Sequence, residues 1–126
     1  MPGPSPLWVR LAMPSLADLL FIVTFWCLTI GMWGMGMLGD AGTGWHVRNG
    51  DHILATRSIP HVDYFSYTMS GRPWYAWEWL YDVVLACAHR LAGLNGVVVL
   101  SAVIVAFTFA FLFKLAARSS GNVAIA

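Results

Sequence analysis

Residues 94–113 read LNGVVVLSAVIVAFTFAFLF, inside a run of 23 residues, Leu91–Phe113, without Asp, Glu, Lys or Arg. A helix rises about 1.5 Å per residue, so this run reaches at least the roughly 30 Å hydrocarbon thickness of a bilayer. An isolated segment in lipid satisfies its backbone only as a helix. A second uncharged run, Leu19–Gly39, reads LLFIVTFWCLTIGMWGMGMLG over 21 residues. Two transmembrane helices are therefore expected, at 19–39 and 94–113.

Composition points the same way. The 126 residues are 59% apolar and 10% charged, against about 45–50% and about 25% in soluble domains. That excludes an ordinary soluble domain and a disordered chain. Seven Lys/Arg against six Asp/Glu leave a net charge of +1. There is no basic run to collect phosphates, so no nucleic-acid partner is expected. Two cysteines exclude a disulfide framework and a Cys-rich zinc site. Cys27, mid-span, and Cys87, on the apolar side of its segment, read as buried, inert thiols.

The first run exceeds a signal peptide's usual apolar core of about 7–15 residues. No good small-x-small cleavage site precedes Asp40, so the run is expected to be retained. Gly31, Gly34, Gly36 and Gly39 miss the four-residue spacing of a GxxxG dimer face. In the second run Ala102, Ala106 and Ala110 recur every four residues. They form a candidate seam for other transmembrane helices or subunits. Arg10 precedes the first run, and Lys114 and Arg118 follow the second. Positive charge favours the cytoplasmic side. The expected layout is a cytoplasmic segment at 1–18, a non-cytoplasmic loop at 40–77, an interfacial helix at 78–91 and a cytoplasmic tail at 114–126.

Within the loop, Thr43 is placed to cap a helix over about 44–56, with Val47, Ile53 and Leu54 on one side. Gly50 weakens that helix and Pro60 ends it. Phe65–Met69 and Trp74–Trp77 have strand-like composition around the turn residues Ser70-Gly71-Arg72-Pro73, which predicts a short hairpin. Tyr64, Tyr67, Trp74, Tyr75 and Trp77 make five of the eleven Trp and Tyr residues, as in an interfacial aromatic belt. From Glu78 to Leu91 an apolar stripe (Leu80, Val83, Val84, Cys87, Ala88, Leu91) opposes Glu78, Asp82 and His89. This is the pattern of a helix lying in the membrane interface, its polar side toward water or a neighbouring domain. The fold class is thus an all-α integral membrane protein with two transmembrane helices, an amphipathic interfacial helix and a short aromatic loop or hairpin between them.

Three acids are candidate catalytic residues. Asp40 stands at the exit of the first span, a position suited to a general base; Asp63 and Glu78 are weaker candidates. His46, His52, His61 and Asp63 are ligand-type residues, but no pair has HExxH spacing and no tetrahedral set closes. No metal and no cofactor are expected. The GxSxG and P-loop signatures are absent.

The strings Gly44-Trp45-His46 through Leu54, Ile59 through Thr68, Gly71-Arg72-Pro73-Trp74 and Glu78-Trp79-Leu80 resemble the amino-terminal region of a group of bacterial polytopic membrane proteins. There a first span is followed by a pattern like D-x-x-x-W-H-x-x-x-G-x-x-I-L, then P-x-x-D-x-F-S-x-T, G-x-P-W and E-W-L; in this chain four residues, not three, separate Asp40 from Trp45. Those proteins are similar to GT-C-class glycosyltransferases, which use polyprenyl-phosphate-linked sugars. By that resemblance Asp40 matches the acid placed just after the first span, and Asp63 and Glu78 match further acidic positions. The resemblance implies a bacterial inner-membrane protein with both termini cytoplasmic and the central loop periplasmic. Family members carry about ten spans. This chain is therefore expected to be inactive alone and to meet a polyprenyl-phosphate sugar only in a full-length context. The alternative expectation is a non-catalytic accessory subunit of a larger membrane complex.

Overall fold

The computed structural model describes residues 14–121. Arg10, used above for orientation, lies outside the described residues. The architecture is all-α: α1 spans Leu16–Thr29, α2 Gly31–Gly36, α3 Gly42–Thr56 and α4 Trp79–Ser120. The chain divides into two compact units, residues 1–34 with 101–126, and residues 35–100.

In the first unit, α1 opens with a capping box. Asp18 N–H donates to the Ser15 hydroxyl, and Ser15 N–H donates back to the Asp18 carboxylate at 2.9 Å. These bonds satisfy amides that a helix start otherwise leaves unpaired. The predicted continuous helix over 19–39 is broken. Ile30 is extended (φ −107°, ψ 136°) and ends α1, while the Thr29 hydroxyl turns back to donate to the Phe25 carbonyl at 2.9 Å. Four glycines between 31 and 39, each costing about 1 kcal/mol in a helix, explain why α2 stops at Gly36. With 14 residues, α1 is about 21 Å long.

The Ala102/Ala106/Ala110 seam is covered by the chain itself, at 0%, 0% and 9% exposure. Phe107 and Phe111 stack at 6.0 Å on the exposed side of α4. Lys114 Nζ lies 3.8 Å from Asp18 Oδ1, with both side chains exposed. Such a pair contributes little.

Among the described residues one helix, α4, is long and apolar enough to cross a membrane. It is kinked where Ala92 (φ −144°) and Gly93 (φ 62°, ψ −150°) leave helical geometry. The kink separates the expected interfacial segment, 78–91, from the expected span, 94–113. Gly93 adopts a left-handed φ that only glycine takes freely.

In the second unit Val47, Leu85 and Val97 form the buried apolar cluster, with Leu38 and Leu100 against it. Thr43 does not cap α3, which begins at Gly42. Asp40 does that work: its Oδ1 accepts from Gly42 N–H at 2.8 Å. The expected hairpin reduces to one antiparallel bridge, Val62 with Pro73. Asp63 N–H donates to the Arg72 carbonyl, and Trp74 N–H to that of His61. Pairing falls short of Phe65–Met69 because Asp63 draws the chain after it into a turn. Cys27 and Cys87 are exposed, not buried, since each lies on a helix face turned away from the chain's own packing.

Candidate functional site: a buried polar node beside an arginine-lined cleft

On α3, His46, Asn49, Gly50 and Ile53 share one face at helical spacing. Gly50 has a reason to be glycine: a Cβ there would fall 2.0 Å from the Asp82 carbonyl oxygen and 2.8 Å from the Ala86 Cβ. The two helix backbones therefore meet directly. Around that contact sits a polar node. His46 Nδ1 lies 2.6 Å from Asp82 Oδ1, and Asn49 Nδ2 donates to Asp82 Oδ2 at 2.5 Å. Asp82 is 2% exposed and Asn49 0%. A carboxylate oxygen accepts, so His46 donates through Nδ1. That leaves Nε2 outward on a ring whose side chain is 27% exposed. Tyr81 meets the His46 ring at 5.1 Å, nearly perpendicular. Asn49 turns its amide nitrogen to Asp82, and its Oδ1 has no hydrogen-bond partner among the described residues.

The next stripe of α3 faces an open cleft of about 570 Å³, lined by Arg48, Asp51, His52, Ala55, Tyr64, Phe65 and Arg90. Arg90 Nε donates to Asp51 Oδ1 at 2.7 Å. The His52 ring lies 4.3 Å from Tyr64 and 6.2 Å from Phe65. Behind this wall Trp45 packs edge-on against Phe65 at 4.8 Å and Trp74 at 5.8 Å.

The three acids singled out in the sequence have separate situations, and no hydrogen bond joins any two of them among the described residues. Asp40 is exposed at the start of α3. Asp63 is buried and fully engaged. Its Oδ1 accepts from Phe65 and Ser66 N–H at 2.9 and 3.0 Å, the Ser66 hydroxyl donates to its Oδ2, and its carbonyl accepts from Gly71 N–H. The Ser66 hydroxyl, then the Ser66 and Phe65 amides, hold the Asp63 carboxyl below the usual carboxylate range. Glu78 is exposed, and its carbonyl accepts from Asp82 N–H.

The polar side expected on 78–91 therefore splits: Glu78 is exposed, His89 half-buried, and Asp82 sealed against α3. The histidines diverge too. His46 joins the node, His52 the cleft, and His61 packs against Tyr75 at 5.4 Å. Among the described residues no group of three His, Cys, Asp or Glu could hold a metal. The node went unread in the sequence, although a signal was there. His46, Asn49 and Gly50 make one helix face, and Asp82 with Ala86 makes a small-plus-acid face able to meet it. Comparison with protein families, characterised proteins and solved structures finds no match to this chain.

Proposed function

We propose that the chain forms the amino-terminal portion of a bacterial membrane protein similar to GT-C-class glycosyltransferases, anchored in the inner membrane by two spans. The observation that carries this reading is where the resembling motif residues lie. Trp45, Phe65 and Trp74 pack together, His46 and Gly50 meet Asp82, and Asp63 ties down Ser66. Motif residues from three short strings, together with Asp82 just beyond the fourth, thus make the contacts of one unit. The long apolar helix α4 supports insertion. The charge distribution supports cytoplasmic termini and a periplasmic loop.

In this reading Asp40, exposed and next to the first apolar segment, takes the proton of an acceptor hydroxyl. The hydroxyl oxygen attacks the anomeric carbon, and polyprenyl phosphate leaves. Asp63 has its carboxylate oxygens committed to the loop and acts as a positioning residue, and Glu78 remains a weaker candidate. A transfer assay on a full-length relative, wild type against Asp40→Asn, tests the assignment. Loss of turnover is expected; unchanged turnover removes Asp40 from the mechanism.

A second reading, a non-catalytic accessory subunit, is favoured by the exposed face of Phe107 and Phe111. With the alanine seam already covered, this exposed face is available to a partner helix. Native mass measurement after gentle detergent extraction separates the readings: a lone monomer counts against the subunit.

A further inference from the structure

We propose that the cleft between α3, the aromatic loop and the first half of α4 binds a phosphate ester of a polyol. The proposal stands on the cleft itself and does not require the glycosyl-transfer reading. Two guanidinium groups line it, Arg48 and Arg90. Asp51 engages Arg90 through Nε, and the Nη groups have no hydrogen-bond partner among the described residues. Arg48 has no hydrogen bond or ion pair among the described residues. The cleft therefore holds one carboxylate against two cations, an excess of one positive charge with histidine neutral. Guanidinium forks match the oxygens of a phosphate better than an ammonium would.

The other wall is built of rings: His52 against Tyr64 and Phe65, with Trp45 bracing Phe65 from behind. Flat rings offer a face to the C–H groups of a glycerol or sugar, while the cations take the phosphate. At about 570 Å³ the cleft lies within the size range of small-molecule sites. The same chemistry is presented by a phospholipid headgroup and by a water-soluble polyol phosphate.

The test uses the full chain purified in an uncharged detergent, titrated calorimetrically with glycerol phosphate and with glycerol. In a parallel arm the chain sits in phosphatidylcholine nanodiscs with or without phosphatidylglycerol carrying a bromine-labelled chain, and tryptophan quenching is read. Glycerol phosphate is expected to saturate one site and glycerol to give no heat. Arg48→Gln, which removes no hydrogen bond or ion pair among the described residues, is expected to weaken binding about tenfold, as for loss of one charge-assisted bond. Arg90→Lys, which keeps the charge but loses the fork, is expected to weaken it less.

Quenching by phosphatidylglycerol that Arg48→Gln abolishes and glycerol phosphate does not displace identifies a lipid headgroup. Displacement by glycerol phosphate identifies a soluble ester. Absence of binding in both arms, or equal binding by wild type and Arg48→Gln, overturns the proposal. A full-length relative that binds glycerol phosphate while Asp40→Asn leaves transfer intact would refute the catalytic assignment and leave this site standing.

Discussion

His46 Nδ1 and Asp82 Oδ1 lie 2.6 Å apart although 36 residues separate them in the chain. The bond joins α3 to the first half of α4 at the place where Gly50 lets the two backbones touch. A carboxylate buried to 2% exposure needs such partners, because an uncompensated buried charge is costly.

Asp82→Ala should therefore be among the most damaging single changes in the second unit. It leaves Asn49 without a partner at either end of its amide and His46 without an acceptor. The expected loss is about 3 kcal/mol or more, read as a lower midpoint in denaturant unfolding in detergent. His46→Ala should cost less, because the ring is partly exposed and Asn49 still holds Asp82.

Gly50→Ala pushes a methyl group into the Asp82 carbonyl. Backbone on backbone cannot yield as a flexible side chain does, so the helices must separate, at an expected cost of about 3 kcal/mol. Gly44→Ala is the matched control. Nothing stands within 4 Å of its added carbon, and alanine favours the helix, so stability should rise by up to about 1 kcal/mol. Equal behaviour of the two variants in thermal melts would contradict the close crossing.

Gly93 carries the kink of α4 with φ 62° and open space around it. Gly93→Ala should cost about 1–2 kcal/mol from backbone conformation alone. Gly93→Asn should cost about as much, since asparagine tolerates positive φ in the left-handed helical region and not at ψ −150°. Both are read by the same unfolding assay.

Asp63 makes a pH-dependent contribution. Its folded-state carboxyl is held low by Ser66 and Phe65, below an unfolded value near 3.8. The contribution is present above that unfolded value and is lost as pH falls through the lower folded one. Near-UV circular dichroism from pH 5 to pH 2 should show the aromatic loop of the wild type losing order across that window. Asp63→Asn should show a shallower dependence there.

Much of the helical layout was legible in residue pattern. The uncharged run after Leu91 marks the second part of α4, and Gly93 falls at the junction read between an interfacial segment and a span. The α3 helix was visible despite Gly50, which counted against it locally but serves its packing. What remained hidden depends on distant partners. Periodicity placed Asp82 on a polar face but could not show that His46 and Asn49 would seal it. The strand-like composition of Phe65–Met69 reflects aromatic packing on Trp45 and His52, while the bridge forms at Val62 and Pro73. The break at Ile30 follows from glycine density, which a count of uncharged residues does not register. Asp40, Asp63 and Glu78 are all acids, yet one caps a helix, one holds a loop and one is exposed.

We propose that the apolar part of α4 lies in a bilayer, with the 40–77 loop on the non-cytoplasmic side. Thiol labelling tests it most directly. In a background carrying Cys27→Ser and Cys87→Ser, Ser70→Cys in the loop and Ser119→Cys at the end of α4 are exposed to a membrane-impermeant maleimide on bacterial spheroplasts. Ser70→Cys is expected to be labelled on intact spheroplasts and Ser119→Cys only after lysis. Labelling of both positions on the same side, or release of the protein from membranes by alkaline carbonate, would contradict it.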